Sequence, residues 1–231
     1  IVWIGILVSV FQQFVGINAV IYYSNLIYQA IGFSESDAFL TSMITTAVNL
    51  TFTIVAILLI DRVGRKPLLL VGSTGMAICL ATIAVVFGSA PKCTRQLVGQ
   101  MVGGCKVPAD IGQPDIGSTQ AVIAVIALNL FIAFFASTWG PIAWVLISEM
   151  FPNSIRAAAL AVAAMAQWIG NFVVSATFPG LAHISISLAY GLFTLFALLS
   201  IWFVAKKVKE TKGVQLEQMG QLEAEELSTA K

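Results

Sequence analysis

Apolar residues fall in long uncharged runs, and short polar segments separate them. The first charge along the chain is Glu35, so residues 3–31 form a first apolar segment. A second runs from 38 to 60 and stops at Asp61, and a third follows Pro67 and fills 67–90. A Gly- and Pro-rich polar segment, 91–118, precedes a fourth at 120–147. Residues 157–205 carry no formal charge and a single His, too long a stretch for one helix. Pro179-Gly180 is expected to divide it into segments at 157–179 and 184–205. Each segment has about the 20 residues needed to cross a hydrocarbon core of about 30 Å. The pattern predicts an all-α membrane protein, a bundle of six transmembrane helices in a domain spanning residues 1–205.

Composition supports that prediction. The chain is 58% hydrophobic and 10% charged, whereas a soluble domain carries about 25% charged residues. Mean hydropathy is +0.93. A net charge of +1 leaves no basic surface for nucleic acid, and three cysteines do not make a disulfide scaffold. The chain opens at Ile1 inside an apolar segment with no basic stretch before it, which reads as a fragment beginning at a helix rather than a signal peptide.

Lys and Arg set the orientation. One set of connections holds Arg62, Arg65, Lys66, Arg156, Lys206, Lys207, Lys209 and Lys212; the other holds only Lys92, Arg95 and Lys106. The first set is expected to face the cytoplasm. Both chain ends are then cytoplasmic, 206–231 is a cytoplasmic tail, and 91–118 is an extracytoplasmic loop in a plasma or bacterial inner membrane. Two readings stay open for Cys93 and Cys105. A bridge would close a loop of about 13 residues and contribute about 3 kcal/mol; otherwise they are two thiols. Cys79, in mid-segment, reads as packing. The tail holds Glu217, Glu223, Glu225 and Glu226: a solvated acidic segment, or a docking site.

Polar side chains at membrane depth need a partner, a water-filled cavity or a ligand. No Asp, Glu, Lys or Arg stands in mid-segment, and the uncharged polar residues are clustered. Gln12, Gln13, Asn18, Tyr22 and Tyr23 lie in the first segment. Thr41, Thr45, Asn49 and Thr53 lie four apart on one stripe of the second. Ser137, Thr138 and Trp144 are in the fourth, and Gln167, Trp168 and Asn171 in the fifth. They read either as glue between helices, about 0.6 kcal/mol each, or as the wall of a cavity for a neutral, hydroxyl-rich solute. Amides both donate and accept, as hydroxyls do, and an indole offers its face to sugar C–H groups. Asn18 faces the same cavity as Gln12 and Gln13 only if the helix unwinds near Gly16. Gly140-Pro141 marks a kink in the fourth segment, or a gating hinge.

The ordered stretches through these residues are Gln12-Gln13-Phe14-Val15-Gly16-Ile17-Asn18, Tyr22-Tyr23, Asp61-Arg62-Val63-Gly64-Arg65-Lys66, Gly140-Pro141-Ile142-Ala143-Trp144, Ser148-Glu149-Met150-Phe151-Pro152, Arg156 and Glu210-Thr211-Lys212-Gly213. In this order and spacing the chain resembles the C-terminal six-helix half of a sugar porter of the major facilitator superfamily, one half of a twelve-helix fold. The resemblance implies that Gln12, Gln13, Asn18, Asn49, Trp144 and Gln167 bind a hexose or pentose. It implies gating by Tyr22 and Tyr23, which close over the sugar, and Gly140 and Pro141 join them in the gating set if the fourth segment hinges there. It implies a cytoplasmic charge network of Arg62, Arg65, Glu149, Arg156 and Glu210, whose ion pairs hold the inner side shut. Departures are the missing Pro before Glu210, Ala136 where animal facilitators often carry an acid, and Trp139-Gly140-Pro141, which is more similar to bacterial and plant proton symporters.

The expected function is alternating-access transport of a monosaccharide, by proton symport or facilitated diffusion. Its partners are the sugar, protons in the symport case, the bilayer and an N-terminal six-helix half. That half is expected on the same polypeptide, with a second copy or a separate partner as alternatives. A non-transporting sugar sensor or assembly module is the other reading, and a six-helix pore a third. With one His, no paired mid-segment carboxylates and no phosphate loop, no enzyme, cofactor or metal site is expected.

Overall fold

A computed structural model describes residues 2–24, 28, 34–90 and 118–212. The described residues form helices. They are α1 (Val2–Phe14), α2 (Ile17–Tyr22), α3 (Glu35–Val63), α4 (Arg65–Ser89), α5 (Ser118–Ser137), α6 (Trp139–Met150), α7 (Arg156–Ile184) and α8 (Ile186–Lys207). Six spans long and apolar enough to cross a membrane result, the first made of α1 with α2 and the fourth of α5 with α6. The loop and tail expectations, with Cys93, Cys105 and the acidic tail residues, lie outside the described residues apart from Ser118 and 206–212.

Helix ends follow local chemistry. Ser34 caps α3, its Oγ accepting from the Asp37 amide. α3 and α4 are joined through Gly64 alone, at φ 102°, a conformation glycine adopts without steric cost. Pro67 falls in the first turn of α4, where its missing N–H costs no helix bond. α7 and α8 meet at extended Ser185, whose hydroxyl accepts from the Leu188 amide.

The last boundary corrects the sequence-based expectation. Pro179 does not end the fifth span; α7 continues through it to Ile184. Proline removes one backbone donor, here the partner of the Ser175 carbonyl four residues back. The Tyr23 hydroxyl donates to that carbonyl at 3.2 Å. A helix at membrane depth tolerates proline when a neighbouring group satisfies the freed carbonyl.

The core lies where α4 packs against α8 and α5, and α1 packs against α7. Trp139, at the start of α6, is fully buried. Its indole N–H lies 2.8 Å from Ser73 Oγ and 3.1 Å from the Leu69 carbonyl. Ser200 Oγ donates to Ser73 Oγ at 3.0 Å, so one polar chain links α6, α4 and α8. Small residues permit these approaches: a Cβ on Gly72 would stand 1.9 Å from Thr138 Oγ1. By contrast, α3 packs mainly on α5 and leaves Met43, Ile44, Leu50 and Ile57 exposed.

Candidate functional site

The first span breaks where the sequence expects it. Gly16 takes the left-handed conformation, φ 86° and ψ 15°, between α1 and α2. A Cβ there would sit 2.4 Å from the Phe193 ring, so both sterics and dihedral require glycine. The break turns α2 so that Asn18 Nδ2 donates to Gln13 Oε1 across it.

The fourth span breaks too, at Thr138 (φ −135°, ψ −87°), three residues before Pro141. Pro141 thus lies in the first turn of α6, where it removes no helix bond. Gln12 Nε2 reaches across from α1 and donates to the carbonyls of Trp139 and Gly140, both at 3.0 Å.

The two breaks face a cleft of about 290 Å³. Gln12, Gln13, Asn18, Trp144, Gln167 and Asn171 supply its polar atoms and one indole. Ile17, Ile21, Tyr22, Phe135, Gly140 and Trp168 complete the wall. Within it, Gln12 Oε1 and Gln167 Oε1 are buried and accept no hydrogen bond among the described residues. Such a carbonyl costs about 1–3 kcal/mol unless something else donates to it. Trp144 and Trp168, 39% and 67% exposed, place two indoles in its wall. Uncharged amides beside two indoles suit a neutral polyol.

Five of the six residues expected to bind sugar are therefore together, with Asn49 apart. Asn49 lies on α3, and its carbonyl accepts from Thr53 Oγ1; its side chain is not in the wall. Nor does the α3 stripe serve the cleft. Thr41 and Thr53 bond their own backbone, while Thr45 bonds Asn129 Oδ1 at 3.1 Å and Tyr28 Oη at 2.6 Å. Asn129, a lone amide in the apolar run of α5, was the available signal for that network. Of the gating residues, Tyr22 lines the cleft and Gly140 belongs to the broken turn. Tyr23 turns away, bonding Ser175 and lying against Phe178 with ring centroids 5.2 Å apart.

A second polar cluster sits at the helix ends. Arg65 donates through Nε (3.0 Å) and Nη2 (2.7 Å) to the two Glu149 oxygens, joining α4 to α6. Asp61 adds an ion pair at 3.2 Å. Glu210, after α8, receives the Arg65, Lys66, Thr211 and Lys212 amides at 2.9–3.0 Å. Its carboxylate thereby caps the start of α4, where the helix dipole favours negative charge. Burial pushes the Glu210 carboxyl upward, but these four donors outweigh it and hold its pKa below the usual carboxylate range. The Thr211 hydroxyl donates to Glu149 Oε2. Arg62 and Arg156 make no ion pair among the described residues. The Arg62 carbonyl accepts from Lys212 Nζ at 2.7 Å, and Arg156 Nε donates to the Phe151 carbonyl at 3.3 Å while its Nη2 is buried without a partner. No group of three or more metal-ligating side chains occurs among the described residues.

The family model described as sugar (and other) transporter matches residues 1–222. A glucose transport protein of Synechocystis sp. is 46% identical over 220 residues, covering 95% of this chain and 43% of that protein. The D-xylose-proton symporter of Escherichia coli is 37% identical over 225 residues, covering 94% and 40%. Among solved structures, the proton:xylose symporter XylE of the major facilitator superfamily, bound to 6-bromo-6-deoxy-D-glucose, superimposes with a TM-score of 0.77 at 36% identity, covering 96% of this chain and 42% of that one. The chain spans less than half the length of these relatives.

Proposed function

Because the chain belongs to the sugar (and other) transporter family, we propose that it supplies the C-terminal half of an alternating-access monosaccharide transporter. It is an integral, multi-pass membrane protein of the major facilitator fold. The observation that carries the proposal is the cleft between the two helix breaks, with its unpartnered amide oxygens and open indoles. A hexose or pentose meets the amide side chains of the wall with its hydroxyls and lays its C–H face on Trp144. A second six-helix half closes the other side, since the indoles at the rim are otherwise uncovered. No span carries an acid at mid-depth, so a coupled proton would bind a carboxylate of that other half; without one, the sugar moves down its own gradient.

The excess of Lys and Arg at the cluster end argues that this end is cytoplasmic, together with both chain termini, in a plasma or bacterial inner membrane. There the Arg65–Glu149 pair ties the ends of the third and fourth spans, with Arg62 and Arg156 as further positive groups beside it. Such pairs form when the inner side is closed and part when it opens.

Proteoliposomes carrying the chain together with a second six-helix half test this. Saturable, stereospecific uptake of D-glucose or D-xylose is expected, with KM raised about tenfold by Trp144→Leu or Gln13→Ala, the loss of about 1.4 kcal/mol. Uptake unchanged in both variants overturns the site, and binding without flux points to a sensor instead.

A further inference from the structure

Beyond α2, the first span is tied to α3 at two points. Ser42 Oγ donates to Ser24 Oγ at 3.1 Å. One helical turn further, the Tyr28 hydroxyl lies 2.6 Å from Thr45 Oγ1. Asn129 of α5 closes a ring with these two. Thr45 Oγ1 donates to Asn129 Oδ1 at 3.1 Å, and Asn129 Nδ2 donates to Tyr28 Oη at 3.3 Å and to the Val125 carbonyl at 2.9 Å. That carbonyl fixes the amide, because the reverse orientation would set oxygen against oxygen. The direction of every bond follows: Thr45 gives its one proton to Asn129, so Tyr28 donates to Thr45 and accepts from Asn129. Each member of the ring donates once within it and accepts once.

The ring is buried where little else of α3 is. Tyr28 and Thr45 are 0% and 4% exposed, and Thr45 and Ala56 are the buried residues of α3 among those described. Phe, Val and Leu would fill the same three places with no polar group to satisfy, so packing alone does not call for two hydroxyls and an amide. What the ring adds is an all-or-none hold: a complete buried network is rigid, and an opened one leaves its members unpaired away from water. The piece held in this way begins at the Gly16 break and carries Tyr22 into the cleft wall.

We propose that Asn129, acting through Thr45 and Tyr28, is a positioning residue for the mobile end of the first span. It seats the piece bearing Tyr22 against α3 and α5, and the ring must open before that piece swings about Gly16 to admit or release sugar. This rests on the transport reading above. Cleft residues then set affinity, whereas the ring sets how fast the cleft exchanges its ligand. Breaking the ring raises the energy of the swung state and leaves the seated states, empty or filled, alike. Its removal therefore quickens association and dissociation together and leaves the dissociation constant nearly unchanged.

The variant that decides the matter is Tyr28→Phe/Thr45→Val/Asn129→Leu, in the chain assembled with its second half. It keeps the three shapes and leaves no ring member unpaired, so its unfolding temperature should stay near that of the wild type. Amide hydrogen exchange over residues 17–24 without sugar should quicken several-fold, with exchange over 163–170 of α7 unchanged. Stopped-flow binding of D-glucose and D-xylose should show both rate constants raised about three- to tenfold and Kd within about twofold of the wild type. Thr45→Ser, which keeps the hydroxyl, should match the wild type throughout. Wild-type exchange and wild-type rate constants in the triple variant overturn the proposal, and so does a raised Kd with association unchanged, which would make these residues part of the cleft. If the triple variant does not assemble, Tyr28→Phe and Ser42→Ala carry the same test: unchanged exchange over 17–24 in both overturns it. Failure of both sugars to bind the wild type counts against the transport reading instead, and exchange without sugar still decides whether the ring seats the first span.

Discussion

The cleft and the cluster at the helix ends are built from similar hydrogen-bonding groups and treat them in opposite ways. In the cluster, Glu210 accepts four backbone amides and Glu149 accepts both arms of Arg65 and the Thr211 hydroxyl. The carboxylates are satisfied within this chain. In the cleft, two amide oxygens are buried with no donor among the described residues, and large indole faces stay open. Only α6 carries residues of both regions, Trp144 in the cleft and Glu149 in the cluster. On the proposed function the difference follows from role: a contact made by one half alone is saturated in advance, whereas a binding wall leaves polar groups for its ligand. Substitutions in the cluster should therefore appear in stability, and those in the cleft in affinity.

The largest effect is expected at the break of the first span, beside the cleft. Gly16→Ala forces a Cβ against Phe193 at positive φ, and strain plus overpacking should cost on the order of 4 kcal/mol. Thermal unfolding in detergent reads this. Gly180→Ala, with nothing within 4 Å, should be neutral or slightly stabilising, so equal losses at both sites would break the account of the first span.

Next comes Glu149→Ala, which strands the Arg65 guanidinium and should cost about 2–3 kcal/mol in the same assay. Sugar affinity in the closed-inward state should change little. An effect confined to affinity would break the comparison between the two regions.

Gln167→Ala sharpens it from the other side. Removal of one cleft amide should weaken monosaccharide binding about five- to tenfold with unfolding temperature unchanged.

The acid limb of stability tests Glu210. Its folded pKa lies below its unfolded one, so its contribution is complete above the ordinary carboxylate range and is lost as pH falls through the folded value. Glu210→Gln should flatten that limb, and an unaltered limb would show that the cap is not ionised.

The smallest effect belongs to Tyr23. Tyr23→Phe should cost about 0.6 kcal/mol, and much less when combined with Pro179→Ala, which returns an N–H to the Ser175 carbonyl. A double-mutant cycle with no coupling would return Tyr23 to the gating set.

Much of this molecule is legible along the chain because a membrane imposes one-dimensional rules. Uncharged runs of a fixed length must be helices, and so the six spans follow from hydropathy. Gly16 announced a break because the amides on either side of it could not share a face without one. The glutamines, Asn18, Trp144 and Gln167 announced themselves by being polar where polarity is costly. Three-dimensional partnership was not legible. Pro179 signals a helix end unless a hydroxyl from another span, 152 residues away in sequence, takes the orphaned carbonyl. Asn49 and the α3 threonines share a stripe, yet α3 packs on the outside of this half. Glu210 carries no mark that its carboxylate caps a helix starting at Arg65. Local sequence determines what each segment must do with its own backbone and charge; which distant group relieves which unsatisfied atom is decided only when the helices pack, because that depends on distance and not on order along the chain.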